Sequence, residues 1–192
     1  MSKKIRTPIL YLIPFITGTS LLGYETLCFR LFNPFLGSSV YSYSSVLSLT
    51  LLGLVAGYYL SGRLESKKMV LVFILFLLMS YLIFCKILIL NVLPITLGLN
   101  ILSANLISGF IFVFLPIGAM ALISPLLIEL LPPLTFITKS GMVYALSTLG
   151  GICCVIFFAF FLIPNYGLQF SCYLLSAANF LALVLLLFLK NA

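Results

Sequence analysis

The stretch GYETLCFRLFNPFLGSSVYSYSS, from Gly23 to Ser45, interrupts a chain that is otherwise almost continuously apolar. It contains Asn33-Pro34, which is typical of a turn, and then Gly37-Ser38-Ser39, where a serine is a favourable N-cap for a following helix. Apolar runs of about 20 residues, the length that crosses a bilayer as a helix, lie on both sides. The stretch therefore predicts that the chain leaves one membrane helix here and enters the next.

The composition supports an all-α integral membrane protein. Of 192 residues, 64% are hydrophobic and only 7% are charged, and Asp, His and Trp do not occur. A soluble domain of this size would need a more charged surface. We expect a single transmembrane domain over residues 1–192 and a transporter-like bundle of six helices. The predicted helices span residues 8–29, 41–60, 69–90, 104–130, 141–163 and 168–189.

The positive charges predict an orientation. If the chain crosses six times, eight cations fall on one side and only Arg30 and Lys86 on the other. The eight are Lys3, Lys4, Arg6, Arg63, Lys67, Lys68, Lys139 and Lys190. The positive-inside rule then places both termini in the cytoplasm, and we expect a bacterial inner membrane. The net charge of +7 is explained by this topology, so no nucleic-acid partner is implied.

Small residues and prolines predict how the helices pack. Gly53-x-x-x-Gly57, Gly141-x-x-x-Ala145 and Ser147-x-x-x-Gly151 each place two small residues on one helical face, where two backbones can approach closely. Pro116 and Pro125 predict a kink or break in the fourth helix, because proline lacks the N–H that the helix needs.

Four residues are candidates for solute binding. We expect Glu25 toward the outer end of the first helix, facing the bundle interior or water, since a carboxylate in hydrocarbon is costly. It would either bind a cation or fix the helix end by accepting hydrogen bonds. Tyr41, Ser45 and Ser48 follow helical spacing and predict a hydroxyl stripe. Such a stripe lines a wet crevice or forms hydrogen bonds between helices.

No catalytic or metal-binding pattern is found in the sequence. Without His or Asp, metal-assisted hydrolysis and aspartate dyads are excluded. The five cysteines lie in or beside apolar segments, and no CxxC or Cys/His grouping is present. We therefore expect no cofactor, no metal and no enzymatic activity.

Several ordered motifs resemble a known family. The segment from Gly18 to Leu64 contains Tyr-Glu, Arg, Gly-Ser-Ser-x-Tyr, Gly-Leu-x-x-Gly and Gly-Arg in turn. The later segments LPIGAMALISPLL and GMVYALSTLGGICCVIFFAFFLIPNYGL follow in the same order. Together they resemble the membrane domain of the spermidine-synthase-like membrane proteins, over nearly the whole chain. The resemblance implies a transporter-like membrane module.

The chain also departs from that family. Cys28 stands where the family commonly has Trp, Ser147 where it has Asn, and Cys154 where it has Gly. The aminopropyltransferase-like cytosolic domain that family members commonly carry is not among the 192 residues, so its chemistry is not expected here. Two functions stay open. The first is transport of a small, polyamine-like cation, and the second is anchoring of a separately encoded cytosolic enzyme or membrane partner. A homo-oligomer is compatible with either function.

Overall fold

A computed structural model of the chain describes residues 3–64, 71, 74, 78, 81, 87–96, 98–131 and 136–190. Within these ranges all regular elements are helices, so the all-α prediction is confirmed. Four helical runs are long and apolar enough to cross a membrane. They are Leu10–Leu36, Val40–Ser61, Ile101–Leu130 and Ile137–Phe188. By length and composition the chain is a multi-pass membrane protein.

Six helices organise the described residues. The first three are α1 (Lys3–Leu36), α2 (Val40–Ser61) and the short α3 (Ile87–Thr96). The next, α4 (Ile101–Leu130), contains a π-helical segment, Phe110–Phe114. Helix α5 (Phe136–Phe157) continues through a second π-helical segment, Phe158–Leu162, into α6 (Ile163–Lys190).

Helices α1 and α2 form a hairpin at the opening stretch. Gly37 ends α1 with a φ of 72°, a conformation that glycine adopts without a steric penalty. Ser39 caps α2 by accepting a 3.2 Å hydrogen bond from the backbone N–H of Ser42, which confirms the predicted serine cap. The Asn33-Pro34 turn was predicted wrongly, since α1 continues through it to Leu36.

Close backbone contacts at glycines set the packing. A Cβ added to Gly18 would overlap the backbone of Ser147, and one on Gly57 would overlap the carbonyl oxygen of Gly118. The predicted packing role of Gly53-x-x-x-Gly57 is thereby confirmed, because a Cβ on Gly53 would lie 2.9 Å from the carbonyl oxygen of Phe114. The Gly141 motif does not pack this way, because the space around Gly141 is open.

The same contacts give the directions of the helices. Along α2 and α4, Gly53 meets Phe114 and Gly57 meets Gly118, so both helices run the same way. Helices α1 and α5 also run the same way. Contacts of Gly18 with Ser147, Leu22 with Gly151 and Gly23 with Cys154 advance together along both helices.

The chain reverses direction at Gly167. A Cβ placed on Gly23 would lie 2.7 Å from Sγ of Cys154 and 3.0 Å from Cδ2 of Leu175. One straight helix would hold Cys154 and Leu175 about 30 Å apart, so the chain must fold back between them. The backbone leaves the helical conformation at Gly167, where φ is 77° and ψ is 174°. Helix α6 therefore returns along α1 in the opposite direction.

The predicted count of six membrane spans is corrected. The described residues hold four long apolar runs, and the last of them is 52 residues long. The predicted helices 141–163 and 168–189 both lie in that run, on the two sides of the reversal at Gly167, and Pro164 and Asn165 do not end the first of them. Most of the predicted helix 69–90 lies outside the described residues.

Candidate functional site

Glu25 lies near the middle of the membrane-spanning part of α1. It stands 15 residues after Leu10 and 11 residues before Leu36, which bound the apolar span. The predicted end of the first helix at residue 29 is wrong, because α1 extends seven residues beyond Phe29. Glu25 therefore lies well inside the helix and not near its end. The outer position of Glu25 in the membrane stays a prediction.

A polar side chain of α2 contacts the Glu25 carboxyl group. The carboxyl group, on a half-buried residue, lies beside the hydroxyl of Thr50. Thr50 is 2% exposed, and its hydroxyl oxygen makes no hydrogen bond of regular geometry. Thr50 also lies at the middle of its own span, Val40–Ser61. The Glu25 carboxyl group and the Thr50 hydroxyl therefore face each other between α1 and α2.

The carbonyl oxygen of Phe112 in α4 contacts Tyr24, the residue next to Glu25. The residue four positions later is Pro116, which has no N–H to donate to it. The hydroxyl of Tyr24 and the thiol of Cys28, at 3.8 Å, donate to this oxygen instead. The Tyr24 hydroxyl is also 2.8 Å from the hydroxyl of Tyr81. Helix α1 thus supplies the hydrogen-bond donors that Pro116 cannot provide within α4.

Both π-helical segments precede a proline at the same spacing. The N–H of Leu115 bonds to the carbonyl of Phe110, and that of Ile163 bonds to Phe158, each five residues back. The sequences FIFVFLP and FAFFLIP share the pattern Phe-x-Phe-x-x-(Leu/Ile)-Pro. A widened turn lets the chain accommodate a proline without breaking. The predicted irregularity of the fourth helix is confirmed, and this repeat was the signal that sequence reasoning missed.

The predicted hydroxyl stripe is divided between two faces of α2. Ser45 is buried, as is Thr50. Tyr41 is 63% exposed, and Ser48 is also exposed. The structure therefore brings Thr50 to Glu25, whereas Tyr41 and Ser48 lie on the outward face. Solute binding by Tyr41, Ser45 and Ser48 stays a prediction.

Two buried asparagines also have side-chain atoms without a hydrogen-bond partner. Asn105 in α4 is 1% exposed, and its side-chain oxygen has no hydrogen-bond partner. Asn179 in α6 is fully buried, and neither atom of its amide has a partner. Sequence reasoning missed both residues, although an amide inside an apolar run is itself a signal.

The chemistry of this site is that of oxygen ligands around one negative charge. Among the described residues, no three His, Cys, Asp or Glu side chains come close enough to hold a metal ion. The oxygens of a carboxylate, a hydroxyl and amides can replace the water ligands that a cation loses when it leaves water.

Cys28, Cys154 and Cys172 are buried and Cys153 is exposed, whereas Cys85 lies outside the described residues.

By the length and composition of its helices, the chain is a multi-pass helical membrane protein, and it carries a half-buried carboxyl group near the middle of its first apolar run. No protein-family model, curated protein or solved structure matches the chain. The resemblance to the membrane domain of spermidine-synthase-like proteins therefore stays a prediction.

Proposed function

We propose that the protein moves a small cationic solute across the membrane and that the Glu25 carboxylate binds it. The observation that carries the proposal is the half-buried carboxyl group near the middle of the apolar run Leu10–Leu36, facing the hydroxyl of Thr50. We place this group near the midplane of the membrane, where many transporters bind solutes. The widened turn of α4 before Pro116 contacts Tyr24, the residue next to Glu25.

The orientation with both termini in the cytoplasm is part of this proposal. Helices α1 and α5 run the same way and α6 runs back, which brings the start of α1 and the end of α6 to one side of the bundle. Lys3 and Lys190 bound these two helices. The positive-inside rule favours the cytoplasm for the side that carries them.

The resemblance to spermidine-synthase-like membrane proteins supports a polyamine-like amine as the solute. A primary ammonium donates three hydrogen bonds, and the Glu25 carboxylate and Thr50 hydroxyl offer acceptors. Alkyl carbons of such an amine would suit apolar side chains such as that of Val46, which is buried one turn before Thr50 on α2.

Flux through reconstituted liposomes tests the proposal. Purified protein is reconstituted, and uptake of labelled rubidium, methylammonium and a linear diamine is followed. We expect uptake of at least one of these cations, and we expect Glu25→Gln to reduce it to the rate of protein-free liposomes, because the amide removes the charge. Glu129→Gln is the matched control, since Glu129 is exposed near the end of α4 and should leave flux unchanged.

Two results would contradict the proposal. Wild-type flux in a correctly folded Glu25→Gln variant, judged by its elution volume and thermal unfolding, would exclude Glu25 as the binding charge. Absence of flux from the wild type for all three cations, together with a co-purifying cytosolic chain, would favour the alternative of a membrane anchor.

A further inference from the structure

A cavity of about 330 Å³ lies between the end of α1 and the start of α2. All the described residues that line it lie between positions 29 and 46, so we call it the hairpin cavity. Neither Glu25 nor Thr50 is among them, and the cavity is therefore separate from the carboxyl site. Its volume falls within the range of small-molecule sites in proteins.

The hairpin cavity carries a positive charge. Arg30 is the one charged residue among the described residues that line it. Within the part of the chain that the structure describes, its guanidinium has no hydrogen-bond or ion-pair partner. Asn33, which also lines the cavity, is three residues further along α1 and so lies on the same face of the helix. A guanidinium has five donors and no acceptor, so this end of the cavity suits an anion.

The turn that closes the cavity is held by its own hydrogen bonds. The hydroxyl of Ser42 donates to the carbonyl oxygen of Leu36 at 3.0 Å, and the hydroxyl of Ser39 accepts from the backbone N–H of Ser42. The side chains of Ser38 and Asn33 are exposed and line the same cavity, so both can donate to a ligand. The N-terminus of α2 adds the positive end of its helix dipole.

The remaining wall of the cavity is apolar. Phe32 and Val46 are 2% and 1% exposed and line it from α1 and α2. The ring of Phe29 stacks on that of Tyr43, with 4.9 Å between the ring centroids. A cavity with a cation and neutral donors at one end and aromatic and aliphatic side chains at the other suits an amphiphilic anion.

The cavity also lies at the depth where such molecules are found in a membrane. The apolar run Leu10–Leu36 ends and the run Val40–Ser61 begins at this turn. The ends of membrane-spanning helices lie at the level of the lipid headgroups. An arginine near such an end extends its guanidinium toward the interface, where lipid phosphates lie.

We propose that the hairpin cavity binds a phosphate ester, with Arg30 as the charged partner of the phosphate and Asn33 and Ser38 as neutral donors. The planar guanidinium matches two phosphate oxygens at once. The apolar wall and the depth favour a phospholipid headgroup over free phosphate as the source of this group. The site does not rest on the proposed function, because it fits a transporter and a membrane anchor equally.

Lipid titrations followed by native mass spectrometry test the site. The full chain is purified in detergent and titrated with dioleoyl phosphatidic acid, with dioleoylglycerol as the lipid that lacks the phosphate, and with inorganic phosphate as competitor. We expect one molecule of phosphatidic acid to bind roughly tenfold more tightly than dioleoylglycerol, because only the former offers oxygens to Arg30.

Substitutions at Arg30 assign the binding to the cavity. Arg30→Gln should weaken the affinity for phosphatidic acid roughly tenfold, and Arg30→Lys should lie between that variant and the wild type, since it keeps the charge but not the bidentate fork. Arg63→Gln is the matched control, because it removes the same charge from an exposed arginine at the far end of α2. We expect it to change the affinity by less than about twofold. Ser38→Ala, at an exposed position, should weaken binding less than Arg30→Gln.

The outcomes separate the sources of the phosphate and can overturn the site. Lipid binding that inorganic phosphate does not displace supports a headgroup site, whereas displacement by inorganic phosphate supports the same phosphate site with a free anion as its ligand. Equal affinity of the wild type and Arg30→Gln for phosphatidic acid would overturn the proposal. Equal losses in Arg30→Gln and Arg63→Gln, or equal affinity of the wild type for phosphatidic acid and dioleoylglycerol, would overturn it as well.

Discussion

The hydroxyl of Tyr24 donates a hydrogen bond to the carbonyl oxygen of Phe112, the atom that Pro116 deprives of its helical donor. The two residues are 88 positions apart in the chain and belong to different helices, α1 and α4. Helix α1 therefore donates the hydrogen bond that α4 lacks at Phe112, and the donor is the residue next to Glu25. This bond links α4 to the helix that carries the carboxylate.

Removing the Tyr24 hydroxyl should destabilise the bundle. In Tyr24→Phe the ring remains, but the carbonyl oxygen of Phe112 loses the hydroxyl and keeps the Cys28 thiol, a weak donor, so we expect a cost of about 0.5–1.5 kcal/mol. Unfolding in mixed micelles measures the change. Tyr43→Phe is the control, because Tyr43 is exposed and its ring stacks on Phe29 through carbon atoms. Equal effects of the two substitutions would exclude the proposed role of the hydroxyl.

The effect of Tyr24→Phe should depend on residue 116. Pro116→Ala returns an N–H to the helix, which can then bond to Phe112 within α4. In that background we expect Tyr24→Phe to cost less than half of what it costs in the wild type. A double-mutant cycle of unfolding free energies measures this coupling. Additive effects would show that the proline and the tyrosine act independently.

Close approach of α1 and α5 should fail if Gly18 gains a methyl group. The added Cβ of Gly18→Ala would overlap backbone atoms of Ser147, which no side-chain rotation can relieve. We expect a loss of about 1–3 kcal/mol, as for other overpacked cores. Gly141→Ala in α5 has open space around it and should be neutral or stabilising. Thermal unfolding of both variants in one detergent makes the comparison.

The sequence predicts the class of this fold well and its site only in part. Apolar runs and the serine cap predict helices and their hairpin because these signals are local. The end of α1 was misplaced because Asn33-Pro34 reads as a turn, although a proline in the last turn removes one bond and does not stop the helix. Because of that error of seven residues, the sequence prediction placed Glu25 near the end of a helix in which it lies 11 residues before the last residue, Leu36.

The partners of the site could not be predicted because they depend on packing between distant segments. Thr50 reaches Glu25 from α2, and the Phe112 carbonyl reaches Tyr24 from α4. Helical periodicity on α2 selected Tyr41 and Ser48, but the buried face is set by where Gly53 and Gly57 meet α4. A stripe seen in one helix therefore does not show which side faces the bundle.

The reversal at Gly167 should depend on the absence of a side chain. Its φ of 77° lies in the left-handed region, and no atom would clash with a Cβ there, so the cost of Gly167→Ala is purely conformational. With ψ at 174°, this conformation is essentially restricted to glycine, and we expect a loss of about 1–3 kcal/mol. Gly167→Asn should cost about as much, because asparagine tolerates a positive φ at a ψ of about 47° and not at 174°. Equal stability of the alanine variant and the wild type, measured by unfolding, would mean that the chain reverses by another conformation.

Thr50 should affect flux without supporting the fold. Thr50→Val keeps the shape of the side chain and removes a hydroxyl that makes no regular hydrogen bond, so we expect the unfolding free energy to stay equal or to rise. If the hydroxyl is a ligand for the cation beside Glu25, the apparent affinity for the transported cation should fall roughly tenfold, the equivalent of about 1.4 kcal/mol. Thr50→Ser, which keeps the hydroxyl, should restore most of the affinity, and both are measured by concentration-dependent uptake in liposomes. A valine variant with wild-type affinity would leave Glu25 as the binding charge and remove Thr50 from the site.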